Sequence, residues 1–288
     1  PPPMYYYIVN PAAGHGAAHT LQDKLRTELK SLGIGGEFVT TTGKGDATRL
    51  ASQAIAKGYT TIVAVGGDST VNEVINGVTS DTAAIGVIPI GSVNKIALQL
   101  GITTWQQACT VLAARRITEY ALIAAGDNFF LSSLTLGFET ELPDVQAPPP
   151  SKNIKDKVLH LRDSFKKAQN YQAIKCKIQV DGGYTVSADV FSLSVTNQKF
   201  INPTAPNELS VMLTDKPNTR QLGNLLLRAK KAESLGEMAS TNFQGTKITL
   251  ETTPPVNVAI DGKIIARTPL TIRLTDRRVR LIVEKILT

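Results

Sequence analysis

With 288 residues, 42% hydrophobic and 19% charged, the sequence has the make-up of a soluble globular protein, with room for one large domain or two ordinary ones. No apolar run approaches the ~20 residues that a bilayer crossing needs. The opening Pro1-Pro2-Pro3-Met4 lacks the basic-then-apolar order of a secretory signal, so neither feature is expected. The net charge of +7 is uneven: residues 1–124 carry 9 Lys/Arg against 8 Asp/Glu, and residues 125–288 carry 22 against 16. A near-neutral half joined to a basic half suits an anionic membrane or nucleic acid as partner, or solubility alone. Cys109 and Cys176 stand far apart and offer no metal-ligand spacing; isolated thiols fit a reducing compartment.

The first half alternates short apolar runs with helical patterns. Residues 5–9 read as a strand that breaks at Asn10-Pro11-Ala12-Ala13-Gly14, and Leu21, Leu25, Leu29 and Leu32 share one face of a helix over 19–32. A second strand is predicted over 37–41. Asp46 is expected to cap the next helix, because Leu50, Ala51, Ala54 and Ile55 follow at helical spacing. Residues 61–65 form the third strand, 70–76 its helix, and 84–88 a fourth strand closed by Pro89-Ile90-Gly91-Ser92-Val93-Asn94. Helices follow over 96–100 and 105–114. This alternation predicts an α/β domain over residues 1–124: a doubly wound parallel sheet with helices on both faces.

From residue 117 on, apolar or alternating runs dominate, at 117–124, 129–136, 173–180, 185–196, 208–213, 247–251, 257–260, 270–274 and 279–283. Gly, Pro and Asn/Asp turns separate them, and Asp181-Gly182-Gly183 is a hairpin signal. They predict a mostly antiparallel β-sandwich domain over 125–288, whose last residues are free to pack back on the first domain. Pro148-Pro149-Pro150 reads as a stiff spacer. One helix interrupts the strands: Ile154, Val158, Leu161, Phe165 and Ala168 make a stripe beside Lys152, Lys155, Lys157, Arg162, Lys166 and Lys167. Such a helix lies either on a membrane surface or on its own core with a solvated basic back.

Three glycine turns follow strands one, three and four: 10–14, 66–70 and 89–94. In an open parallel sheet the loops at the carboxyl ends of the strands share one edge, where ligands bind. Glycines let backbone approach an anion, and a helix start offers N–H groups to it. Asp68 stands where a Mg²⁺ or a substrate hydroxyl can be met. Each turn alone is equally a tight turn; three together point to a nucleotide site. No Gly-x-x-x-x-Gly-Lys-Ser/Thr occurs and no Gly-x-Gly-x-x-Gly follows the first strand, so ordinary P-loop and dinucleotide-binding folds are excluded. His15 either touches phosphate or is a solvated loop residue.

The segments Asn10-Pro11-Ala12-Ala13-Gly14, Gly66-Gly67-Asp68-Ser69-Thr70-Val71-Asn72-Glu73-Val74 and Pro89-Ile90-Gly91-Ser92-Val93-Asn94 resemble, in order and spacing, the diacylglycerol kinase and sphingosine kinase catalytic family. Gly45-Asp46-Ala47, Leu136-Gly137-Phe138-Glu139, Asn197 and Val258-Ala259-Ile260-Asp261-Gly262 extend the resemblance over nearly the whole chain. NAD kinases and phosphofructokinases share a version of the Gly-Gly-Asp block. The resemblance implies an ATP-dependent lipid kinase that uses Mg²⁺. The first domain would hold ATP through Asn10, Pro11, Gly14, Thr42, Gly66, Gly67, Asp68, Ser69, Thr70, Asn72, Glu73, Gly91, Ser92 and Asn94. The second domain would hold the lipid, whose hydroxyl attacks the γ-phosphate in a cleft between them. Asp261 is the expected base and Asp68 organises Mg²⁺ through water, with the two roles open to exchange. Read without the family, Asp261 is equally a hairpin-turn residue, and Asn72 and Glu73 belong to an ordinary helix first turn. The resemblance further implies a lipid and an anionic membrane surface as partners, no nucleic acid, and a cytoplasmic, membrane-peripheral location. A homodimer stays open.

Four positions depart from the family pattern. Ser69 replaces a glycine; if that position needs positive φ or close phosphate approach, a side chain costs up to about 1–2 kcal/mol or blocks the approach. Lys95 follows Asn94 where aspartate is frequent, though sphingosine kinases lack it too, and Lys95 could meet phosphate. Asn207-Glu208 replace an Asp-Gly that supports a structural Mg²⁺. Lys263 stands where glutamate is usual, a charge reversal that lowers the pKa of a base beside it. These departures keep two rivals open: a catalytically impaired nucleotide- or lipid-binding homologue, and a kinase for a soluble alcohol.

Overall fold

The computed structural model describes residues 4–141, 154–221 and 241–285. They divide into two compact units. One holds the described residues through Ser132, Lys199–Thr204 and those from Thr275 on; the other holds the described residues of Ser133–Gln198 and Ala205–Leu274.

In the first unit, β1 (Tyr5–Val9), β2 (Glu37–Thr40), β3 (Thr61–Gly66) and β4 (Ala84–Pro89) run parallel in the order β2-β1-β3-β4. Every residue of β1, β3 and β4 is buried, as continuous apolar strands require when both faces are covered. Helices α1 (Ala17–Ser31) and α5 (Trp105–Ala114) pack on each other, and so do α2 (Asp46–Ala56) and α3 (Asp68–Gly77). The chain moves one way along the sheet from β1 to β2 and the other way from β2 through β3 to β4. Right-handed crossovers therefore put α1 on one face and α2 and α3 on the opposite one, which is the expected doubly wound arrangement. The short α4 (Lys95–Gln99) precedes α5.

After α5, β5 (Ile117–Ala125) and β6 (Asn128–Phe130) form an antiparallel hairpin. The long last strand, β16 (Leu270–Ile282), is an interior strand of this sheet and pairs with β4 and β5: Arg280 and Leu281 lie parallel to Ala84 and Ile85 of β4. From β16, Arg277 donates to the carbonyls of Ile75 and Val78 at 3.2 and 2.8 Å and lies 4.5 Å from the Phe129 ring centre. A cation there satisfies carbonyls that the end of α3 leaves without helical partners. The Asn76 amide clamps the same β6 edge, donating to Phe129 O at 2.7 Å and accepting from Phe129 N at 2.9 Å.

The second unit carries two antiparallel sheets. One has six strands in the order β12-β11-β10-β7-β14-β15, built from β7 (Ser133–Gly137), β10 (Ser192–Asn197), β11 (Leu209–Thr214), β12 (Thr241–Gly245), β14 (Asn257–Ile260) and β15 (Lys263–Arg267). In the other, β8 (Ile174–Val180) pairs with β9 (Tyr184–Val190) and β13 (Lys247–Thr253), and β13 pairs with the first residues of β16. Along β8, Ile174, Cys176, Ile178 and Val180 turn inward while the lysines between them face solvent. The Asp181-Gly182-Gly183 hairpin joins β8 to β9, with Asp181 and Gly182 at φ 49° and 70°.

Several expectations need correction. Asp46 does not cap α2: Gly45, left-handed at φ 82°, is the cap, and Asp46 opens the helix. Residues 185–196 are not one strand. Phe191 breaks them, because its ring is buried against Phe138, with centroids 4.5 Å apart, and β9 and β10 go to different sheets. Residues 129–136 likewise split between β6 and β7, whereas 270–274 and 279–283 are one continuous strand. β12 and β15, mostly polar or exposed, escaped the apolar-run criterion.

Helix α6 (Phe138–Glu141) follows β7, and α7 (Ile154–Asn170) is the expected basic helix. Ala168 is buried and Phe165 half-buried; the Ile154, Val158 and Leu161 side chains, Lys152 and the three-proline segment lie outside the described residues. Lys155, Leu159, Arg162 and Lys166 are exposed at spacings of four, three and four, hence on one face. No helix among the described residues is long and apolar enough to cross a membrane. Cys109 and Cys176 are buried and unbridged, and burial pushes both thiols up to about 11.

Candidate active site

The strand order reverses between β1 and β3. The chain leaves β1 for one face and β3 for the other, which opens a crevice at the carboxyl ends of these strands. The turns after β1, β3 and β4 meet there. Asn10 Nδ2 donates to Thr70 Oγ1 at 3.2 Å, across the reversal. Asn10 N donates to Val65 O and Ile90 N to Gly66 O, both at 3.0 Å. A Cβ on Gly14 would lie 2.3 Å from Ile90 O, and one on Gly91 would lie 2.7 Å from Gly67 Cα. The three turns therefore touch through backbone, and the glycines are there because side chains do not fit. Gly66 is constrained in the same way, by the buried Thr70 hydroxyl 2.5 Å from where its Cβ would be.

Asn94 shapes the β4 turn. It sits in the left-handed region at φ 55°, and its amide closes a ring with Gly91, accepting from N at 2.9 Å and donating to O at 2.7 Å. Asn is among the residues that tolerate this conformation. Ser92 and Val93 are exposed at the tip. Asp68 reaches from the start of α3 to the start of α4, where its two carboxylate oxygens accept the N–H groups of Lys95 and Ile96 at 2.8 and 2.9 Å. Ser69 is exposed in the first turn of α3 and does not have positive φ. The strain conditionally expected for a side chain at that position is absent.

Thr42, at the end of β2, is latched to Asp46. Asp46 Oδ2 accepts Thr42 N at 2.9 Å and Thr42 Oγ1 at 3.0 Å, while Arg49 forks onto Oδ1 at 2.8 and 2.6 Å. The Thr42 N–H, and then the Arg49 fork, hold the Asp46 carboxyl below its ordinary pKa. Asn72 is buried, Glu73 is partly buried, and both lie on α3. Pro11 is partly buried in the β1 turn, and His15 is exposed there at φ 56°.

In the second unit, Asp261 and Gly262 form the two-residue turn between β14 and β15, both left-handed at φ 46° and 81°. That is the twist a tight hairpin prefers. Asp261 N donates to Ser133 O at 3.3 Å, and Ser133 Oγ donates to Asp261 Oδ1 at 3.2 Å. The strand registers bring Ser133, Asp261 and the buried Asn197 to one end of the six-stranded sheet: Thr196 pairs with Ser133, and Leu134 with Ile260. Glu208 joins that end, its carbonyl accepting Gln198 N at 3.1 Å. Ser133 and the Asp46–Arg49 latch were missed from sequence. Ser133 is invisible without the β7–β14 register, whereas the Asp-x-x-Arg spacing was a readable signal.

The residues present fit a polyphosphate. The turns meet through backbone, with no room for a Cβ at Gly14, Gly66 or Gly91, and they adjoin the start of α3, whose first N–H groups suit an anion. Among the described residues no three His, Cys, Asp or Glu side chains cluster as a metal cage.

Residues 4–125 match the family model of the diacylglycerol kinase catalytic domain. A protein named diacylglycerol kinase from Staphylococcus saprophyticus is 24% identical over 274 residues, covering 91% of this chain and 89% of the relative. A Staphylococcus aureus protein of the same name is 24% identical over 284 residues, covering 94% and 90%. Among solved structures, that of a diacylglycerol kinase from Bacillus anthracis superposes with a TM-score of 0.70 at 20% identity, covering 98% of this chain and 97% of the other, a likeness of fold.

Proposed function

Because residues 4–125 of this chain match the model of the diacylglycerol kinase catalytic domain, we propose that the protein is an ATP-dependent lipid kinase of that family. The observation that carries this reading is the glycine-lined cradle at the β1/β3 reversal, within the segment that matches the family. Gly14 and Gly91 let the three turns close on one another through backbone, Asn10 bonds Thr70 across the reversal, and Asp46 holds Thr42 at the end of β2. Bound Mg-ATP supplies the γ-phosphoryl group and the charge neutralisation that its transfer needs.

The acceptor is the hydroxyl of a diacylglycerol-like or sphingoid lipid. In the balanced reaction the lipid oxygen gains the phosphoryl group, ADP leaves, and the hydroxyl proton is released. Asp261 receives that proton. Its carboxylate is oriented by Ser133 Oγ, which donates to Oδ1 at 3.2 Å. The exposed α7 face of Lys155, Leu159, Arg162 and Lys166 supports an anionic membrane surface as the place where the lipid is met.

The test is Asp261→Asn. The variant is expected to bind ATP as the parent does and to lose phosphoryl transfer to lipid by at least about 100-fold, the usual weight of a general base. Transfer at the parental rate would remove Asp261 from the chemistry.

A further inference from the structure

Asp68 opens α3, yet its carboxylate serves another helix. Its oxygens accept the first two N–H groups of α4, Lys95 at 2.8 Å and Ile96 at 2.9 Å. The first N–H groups of any helix lack partners within it, and a carboxylate bonded to two of them is a strong, directional tie. A helix of five residues has little stability of its own, so its start must be fixed from outside. The tie lies where the β3 and β4 turns already touch, at Gly67 against Gly91 and at Ile90 N on Gly66 O. Asn94 completes the second turn through its ring with Gly91.

We propose that Asp68 is a positioning residue: it welds the β3 and β4 turns into one preformed phosphate cradle, a role it exerts with or without the metal. This deepens the nucleotide-binding reading above and rests on it. Asparagine at this position keeps the shape but turns one acceptor into an NH₂ group that faces an N–H. Glutamate keeps the charge but carries its oxygens one methylene too far. A role exerted on Mg²⁺ through water tolerates glutamate; the weld does not.

Calorimetric titration with ADP, in Mg²⁺ and in EDTA, of the parent, Asp68→Asn and Asp68→Glu decides between the two, with amide hydrogen exchange of Lys95 and Ile96 followed in nucleotide-free protein. Both variants are expected to lose about tenfold or more in ADP affinity by the same factor in both media, the weight of a charged hydrogen bond. Exchange at the two amides should accelerate in both variants. A defect confined to the Mg²⁺ arm, or rescued by glutamate, overturns the proposal. Parent protein that binds no ADP defeats the nucleotide reading; exchange at Lys95 and Ile96 then decides the weld alone, and unchanged protection in Asp68→Asn overturns it.

Discussion

Gly67 and Gly91, in turns that follow different strands, approach so closely that a Cβ on Gly91 would lie 2.7 Å from Gly67 Cα and 2.7 Å from Asn94 Oδ1. Neither neighbour can yield cheaply, since one is backbone and the other is held in a two-bond ring. Gly91→Ala is therefore expected to cost about 1–3 kcal/mol of stability by overpacking, and to weaken nucleotide binding by spreading the cradle. Denaturant titration and ADP calorimetry check the two effects; an alanine variant as stable and as tight as the parent would show that the turns do not touch.

The Asp46 latch has a pH signature. Its folded pKa lies below the unfolded value near 3.9. The stabilisation is therefore present above that value and is lost as pH falls through the folded pKa. Asp46→Asn should lower the melting temperature at neutral pH, and the gap to the parent should close below about pH 4. A gap independent of pH would mean that the carboxylate charge contributes nothing.

Ser69 breaks the family pattern without breaking the backbone. As an exposed residue in the first turn of α3 with negative φ, it carries no strain for glycine to relieve. Ser69→Gly should leave stability unchanged or lower it by roughly 0.5 kcal/mol, the helix-propensity difference. Stabilisation in a thermal melt would contradict the assigned conformation.

Both thiols are buried, and burial holds them near 11. At about pH 8 the thiolate fraction is negligible, and access requires opening. A thiol reagent should find no reactive cysteine in native protein and both of them in denaturant. Fast native labelling of Cys109 or Cys176 would show that its unit opens locally.

The first unit was legible because each β strand there is a short apolar run and each helix has a clear stripe, so local period and fold agree. The three turns were legible for a related reason: glycines and Asn94 mark conformations and close approaches that few residues allow. The second unit was harder to read. β12 and β15 have too little apolar content to announce themselves, and the break at Phe191 comes from tertiary packing rather than from a turn residue. Residue roles were hardest of all. Asp46 looked like a cap and is a latch for Thr42, a difference that depends on where a side chain points and not on which residue stands there.

The most direct test of the account is transfer of labelled γ-phosphate from Mg-ATP to a panel of diacylglycerol, sphingoid, ceramide and isoprenoid alcohols presented in anionic vesicles. The account predicts that at least one lipid alcohol is phosphorylated by the parent protein and by none of its Asp261→Asn counterpart. Label on none of them, or equal label on a soluble alcohol with no lipid present, would contradict it.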